Sequence, residues 1–221
     1  MIRIALVDDH QLFRKSLSLL IATFEAVEVV FDTDDGTTLL KWMERGEQID
    51  VVLLDLQMPI MDGFEICTLL KKVHSNIKVL IVSQLTTKEA IHKVMECGAN
   101  GFFTKNSPPE LLEQAIRGVI NNDYYFDMEL ASVVREAILW QKKVNISNSS
   151  TPKVLLSSRE IEIILMACKE MSSFEIGDKL CISSRTVEKH RKRIMEKTDS
   201  KNFIGVVLFA LKNNSIYLDE L

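Results

Sequence analysis

"VVLLDLQMPIMDG", residues 51–63, runs an aliphatic stretch straight into an aspartate and then into turn signals at Pro59 and Gly63. A short continuous apolar run bounded by turn residues reads as a strand buried on both faces, as in a parallel sheet. Ligands of open parallel sheets bind at the carboxyl ends of the strands. Asp55 therefore stands where chemistry is expected.

Working outward, further strand-like runs occur at 2–7, 27–31, 77–82 and 101–104, with this one at 50–54. Helix-period stretches at 11–24, 36–45, 63–73, 87–97 and 108–121 lie between them. The alternation predicts right-handed βαβ crossovers and a five-stranded parallel, doubly wound (βα)5 domain over residues 1–122. "NSPPE" (106–110) predicts a helix start with Ser107 as cap and proline in the first turn. Residues 128–141 read as an amphipathic helix with Leu130, Val134, Ala137 and Ile138 on one stripe, and "KKVNISNSSTPK" reads as flexible linker. We assign residues 123–155 to this joint. Helix-like stretches at 157–170, 172–180, 184–198 and 202–213 then predict an all-α four-helix domain over 156–221.

The chain has 221 residues, room for two cores, and its 47% hydrophobic and 26% charged content describes a soluble globular protein. No apolar run is long enough to span a bilayer and the start has no signal-peptide layout, so the expected location is cytoplasmic. The four cysteines form no close pair and have no histidine cluster nearby, which argues against zinc and for reduced, buried thiols. Residues 1–140 carry 13 Lys/Arg against 21 Asp/Glu, a net of −8; residues 141–221 carry 14 against 10, a net of +4. Opposite signs predict two modules with different partners, the second a polyanion.

The first strand ends in Asp8 and Asp9, the third in Asp55, the fourth in Ser83, and Lys105 follows the fifth. Three carboxylates side by side are costly without a cation, and Mg²⁺ suits a site of carboxylates, phosphate oxygens and water. Metal, hydroxyl and ammonium together stabilise a transferring phosphoryl group, with Asp55 as nucleophile. Taken singly, each residue has an ordinary reading: a strand-end Asp is a cap, Ser83 caps the helix near Thr86, Lys105 is a surface lysine. The joint pattern outweighs these.

"LVDDH" (6–10), "DLQMPIMDG" (55–63), Ser83 and "GFFTK" (101–105) make residues 1–121 closely resemble the receiver domain of two-component response regulators. The resemblance implies that Asp55 is the phosphoacceptor. It makes Asp8 and Asp9 metal-binding acids, with the Gln57 backbone carbonyl completing the metal shell. It also makes Ser83 the switch hydroxyl, Lys105 the phosphate-sensing lysine and Phe102 the switch aromatic. Asn106 stands where many receivers have proline after the lysine, and a cis bond before a non-proline costs about 2.5–4 kcal/mol. Gln57 and Gln84 flank the pocket, where they either hydrogen-bond to an incoming water or block it.

In "CISSRTVEKHRKRIMEK" (181–197), Val187 and Ile194 share one face of a helix, flanked by His190, Arg191 and Met195. Arg185, Lys189, Lys192, Arg193 and Glu196 take the other. For an isolated helix this is a solvated face. Preceded by a short helix and a tight connection at Cys181–Ser183, and capped by Ser183 or Ser184, it is a helix-turn-helix whose second helix enters the major groove. "LSSRE" (156–160), "RTVEKH" (185–190) and the Ile194/Lys197 pair make 156–213 resemble the LuxR-type (NarL/FixJ) DNA-binding domain. The resemblance implies DNA contact by Lys189, Lys192 and Arg193, with Ser184, Arg185 and Thr186 on phosphates and His190 packing or touching backbone. Glu188, acidic and near the groove, either accepts from cytosine N4 or points to solvent, the second being the favoured reading. The family often has glycine near Glu170 and at Cys181; neither is present. The last helix is apolar nearly all round, so one face is expected in the domain core and the other, through Phe203, Val206, Val207 and Ala210, in a homodimer; burial within one domain is the alternative.

The expected function is a two-domain transcription factor switched by Mg²⁺-dependent phosphorylation of Asp55 by a sensor histidine kinase, binding double-stranded DNA as a dimer. It is not expected to be an enzyme beyond forming and losing its own aspartyl phosphate. Two rivals are an aspartyl-phosphate hydrolase, which the basic helix argues against, and a constitutive DNA-binding dimer indifferent to phosphate.

Overall fold

The computed structural model describes residues 1–59, 61–125, 155–169, 171–213 and 215–216. The chain divides into two compact units, Met1–Asp127 and Met128–Leu221. The helix expected at 128–141 and the linker after it lie outside the described residues.

The first unit alternates β1 (Ile2–Val7), α1 (Gln11–Ile21), β2 (Val27–Thr33), α2 (Gly36–Met43), β3 (Val51–Leu54), α3 (Gly63–Val73), β4 (Lys78–Ser83), α4 (Lys88–Cys97), β5 (Gly101–Thr104) and α5 (Leu111–Asn121). All strands are parallel, in the order β2-β1-β3-β4-β5. Every residue of β3 is buried, which is why the run at 51–54 lacks polar alternation. Ile4, Leu6, Leu53, Leu80, Val82 and Phe103 face a core shared with α1 and α5 through Leu17, Ile21, Leu112 and Ile116. Their neighbours in sequence, Ala5, Val52, Leu54, Val79, Ile81 and Phe102, are buried toward the opposite face.

The order reverses between β1 and β3, the switch point at which such sheets leave a crevice. Register fixes what lies there. Val7 pairs with Leu54, so Asp8 and Asp55 leave neighbouring strands side by side. Ser83 pairs with Thr104, which puts Lys105 just past it, its N–H donating to the Ser83 carbonyl at 3.0 Å. Gly63, a turn signal in the sequence, is the first residue of α3. A Cβ there would come 2.2 Å from the Asp55 carbonyl oxygen, so only glycine lets α3 start so close to the end of β3. Asp62 caps that helix, accepting from the Glu65 N–H at 2.9 Å.

Ser107 does not cap α5. The helix starts at Leu111 with Glu110 before it and no side-chain cap; a turn precedes it, in which the Leu111 and Leu112 N–H groups donate to the Pro108 and Pro109 carbonyls, both at 3.1 Å. Packed structure also continues past residue 122: Tyr124 and Tyr125 are buried and Tyr125 bridges to Gly101.

The second unit contains α6 (Ser158–Cys168), α7 (Ser173–Lys179), α8 (Ser184–Lys197) and α9 (Phe203–Lys212). Ser157 with Glu160 and Ser172 with Glu175 form capping boxes at α6 and α7. Glu160 also binds Lys197 at 2.7 Å, tying α6 to the end of α8. Burial pushes the Glu160 carboxyl up, but Lys197 and the Ser157 N–H outweigh it and leave it below the usual range.

Candidate functional site

The acidic crevice is built from strand ends. Asp55 is 2% exposed and Asp8 4%. The Lys105 ammonium bridges them, 2.6 Å from Asp55 Oδ2 and 2.7 Å from Asp8 Oδ2. Burial works against that charge, yet the hydrogen bonds to Asp55 and Asp8 outweigh it and hold Lys105 above the ordinary lysine pKa. The Phe13 ring lies 4.5 Å from the ammonium, a cation–π contact. Asp8 is fixed from every side: its N–H donates to Thr33 O, its carbonyl accepts from Arg14, and Oδ1 accepts from the His10 N–H at 2.8 Å.

Asp9 differs. Its Oδ1 is buried and has no hydrogen-bond donor. His10 Nδ1 lies 2.9 Å away without forming a hydrogen bond to it. Asp8, Asp9, His10 and Asp55 each bring a ligand atom to within 4.8 Å of the others. A buried carboxylate oxygen without a donor, beside two more carboxylates, fits a hard divalent cation. Below the acids lies a cavity of about 10 Å³, lined by Arg14, Leu17, Leu53 and Val82 among others, too small for more than a single water.

Ser83 is fully buried and its Oγ accepts from the Leu85 N–H at 3.3 Å. The helix that follows is capped by Thr87, so the ordinary reading of Ser83 as that cap does not apply. Phe102 is buried. Gln57 and Gln84 are both exposed, and the Gln57 N–H donates to Asp55 Oδ1 at 3.3 Å. The Lys105–Asn106 peptide is trans. Sequence reasoning gave no role to His10, Arg14 or Phe13. His10 follows Asp9 directly, whereas Arg14 and Phe13 lie on α1 and are brought to the site by its packing against the sheet.

In the second unit, α8 divides as its wheel predicts. Val187, Arg191 and Ile194 are buried; Ser184, Arg185, Lys189, Lys192 and Arg193 are exposed, and Thr186 and His190 are half-buried. Glu188 is exposed. Arg191 donates to Ser173 Oγ at 3.1 Å and stacks 4.5 Å from the Phe203 ring, so this arginine holds α7, α8 and α9 together. Ser183 is the cap, accepting from the Thr186 N–H at 3.1 Å. The turn between α7 and α8 is tight: Ile182 N–H donates to Gly177 O at 2.9 Å, and a Cβ on Gly177 would come 2.6 Å from Ile182 O. Cys181, where the family often has glycine, is left-handed at φ 54°.

The expectation for α9 needs correction. Phe203, Val206 and Ala210 are 0–1% exposed, and Val207 is half-buried. A small helical domain needs these side chains for its own core, and the first three offer no surface to a second copy.

The chain matches two families: the response regulator receiver domain over residues 4–117 and the bacterial regulatory proteins of the luxR family over residues 154–210. It is 35% identical to the oxygen regulatory protein NreC of Staphylococcus epidermidis, covering 95% of this chain and 97% of that one. It is 34% identical to the response regulator GacA of Pseudomonas viridiflava, covering 98% of each. Among solved structures it is similar to the response regulator ChrA of a heme-sensing two-component system, at a TM-score of 0.51, 30% identity and coverage of 97% and 98%. RcsB of Salmonella enterica serovar Typhimurium, bound to promoter rprA with a phosphomimetic, shares the fold at a TM-score of 0.58 and 19% identity, covering 96% and 99%.

Proposed function

The chain belongs to the response regulators that join a receiver domain to a LuxR-type DNA-binding domain, and on that premise we propose that Asp55 is its phosphoacceptor and α8 its DNA-reading helix. It is a DNA-binding transcription factor of a two-component system. The carrying observation is the Asp55 carboxylate at the switch point, held by Lys105 beside Asp8 and the donorless Asp9 Oδ1.

Asp8, Asp9, Asp55 and the Gln57 carbonyl would hold Mg²⁺, which when bound neutralises phosphoryl oxygens. Asp55 attacks the phosphorus of the kinase's phosphohistidine; the P–N bond breaks as the P–O bond forms. Lys105 then transfers its hydrogen bond from the carboxylate to a phosphoryl oxygen, and Ser83 supplies a hydroxyl to another, with Phe102 filling the space beside it. The phosphate leaves by hydrolysis on the same aspartate, so no external ester turns over. The receiver state that results is stabilised only by its better contacts with phosphate.

Lys189, Lys192 and Arg193 would meet base edges and Ser184, Arg185 and Thr186 phosphates, with His190 against the backbone. The partners are a sensor histidine kinase, double-stranded DNA and a second copy on a paired half-site. Among the described residues no helix is long and apolar enough to cross a membrane.

The test is intact mass after incubation with a small acyl phosphate and Mg²⁺. Wild type should gain one phosphoryl group and Asp55→Asn none. Equal labelling of Asp55→Asn, or no labelling of wild type, would overturn the assignment.

A further inference from the structure

Arg14 sits one turn into α1, its N–H closing on the His10 carbonyl at 3.0 Å, with its side chain 10% exposed. Its Nη1 donates to the backbone carbonyl of Asp8 and its Nε to Asp32 Oδ2 at 3.0 Å. Asp32 lies near the end of β2, opposite Leu6 of β1. The Asp8 peptide is thus tied on both sides, its N–H to the β2 backbone at Thr33 and its carbonyl to a guanidinium itself anchored on β2. The same guanidinium lines the small cavity under Asp8 and Asp55.

A buried guanidinium is costly to desolvate, and a positive charge beside acids that must attract a cation works against them. Electrostatics alone would favour a neutral residue here. Arg14 instead offers geometry: a fork reaching a carbonyl and a carboxylate at once, which a lysine cannot reproduce. We propose that Arg14 is a positioning residue of the cation site, setting the peptide of Asp8 so that the Asp8 and Asp9 carboxylates face the metal. It acts through Asp8 and touches neither phosphate nor cation. The inference rests on the reading that these acids hold Mg²⁺.

The two roles of the charge have opposite signs, which makes the inference testable. In the full chain, Mg²⁺ would be titrated while the backbone amide NMR signals of residues 8, 9, 55 and 57 are followed. The variants are Arg14→Met, Arg14→Lys and Asp32→Asn, with thermal midpoints measured beside them. Positioning predicts that Arg14→Met weakens Mg²⁺ binding about tenfold although a like charge has been removed. Arg14→Lys recovers part of the loss. Asp32→Asn, which leaves the carbonyl contact in place, loses less than Arg14→Met. Should Arg14→Met not fold, the ordering of Arg14→Lys and Asp32→Asn below wild type carries the test. Unchanged or tighter Mg²⁺ binding in folded variants would overturn the proposal while leaving the cation site standing. No Mg²⁺ response in wild type would instead overturn the cation reading, and this inference with it.

Discussion

Lys105 is the residue on which the acidic crevice depends before any cation or phosphate arrives. With side-chain exposure of 6%, it is the ammonium that bridges Asp55 and Asp8. Its pKa is raised above 10.5 by those carboxylates, so the stability it contributes is fully present below pH 10.5 and lost only as pH rises through the raised value. It therefore acts across the whole ordinary pH range. Lys105→Met should destabilise the receiver by about 3 kcal/mol in the absence of metal, because breaking a buried pair strands its charges. Added Mg²⁺ should restore more stability to the variant than it adds to wild type, since the cation then does what the ammonium did. Calorimetric thermal midpoints with and without Mg²⁺ check both. Equal Mg²⁺ increments would mean the lysine and the cation do not share the same carboxylates.

At the scale of elements, the strand runs, the order of helices and the two faces of α8 were legible because each is a local periodic pattern. Val187 and Ile194 fall inside and Lys189, Lys192 and Arg193 outside as 3.6-residue spacing requires. The acids of the site were legible for a related reason: in a parallel sheet, strand ends gather at one edge. What sequence could not supply depends on which distant segment lies alongside. Arg14 looks like any polar position of an amphipathic helix until β2 places Asp32 beside it. Lys197 is an ordinary basic last-turn residue until α6 brings Glu160 within 2.7 Å. An apolar helix such as α9 does not say whether its second face meets its own domain or a partner; Phe203, Val206 and Ala210 meet their own.

The α7–α8 connection shows the same limit. The missing glycine at Cys181 drew notice in the sequence, yet Gly177 is the position where a Cβ would strike backbone. Gly177→Ala should destabilise the DNA-binding domain by about 2 kcal/mol, as overpacking against rigid atoms does, and should weaken DNA binding by displacing the start of α8. Cys181→Gly should stabilise it by up to about 1 kcal/mol by removing the left-handed penalty, less the added flexibility of glycine. Denaturation monitored in the full chain distinguishes the two. Opposite signs are expected; a shared sign would mean the turn can shift to relieve both.

At the scale of the whole molecule, the proposed function joins an acidic receiver half to a basic DNA-binding half, so that phosphate on the first would govern association by the second. A single helix-turn-helix contacts too few bases to be selective. Pairing two copies converts the second contact into an intramolecular one, and affinity rises through effective concentration. Phosphate need only shift the receiver toward the pairing state, by no more than its differential affinity for the two states. The Asp55 site and the α8 surface would then be linked through association.

The most direct measurement is selection of bound duplexes from a random DNA library by wild type and Asp55→Asn, each with and without beryllofluoride and Mg²⁺. Phosphate gating through Asp55 predicts a paired motif enriched only by wild type with the mimic. Equal enrichment of that motif in all four arms would contradict it, leaving a DNA-binding protein that ignores its phosphoacceptor.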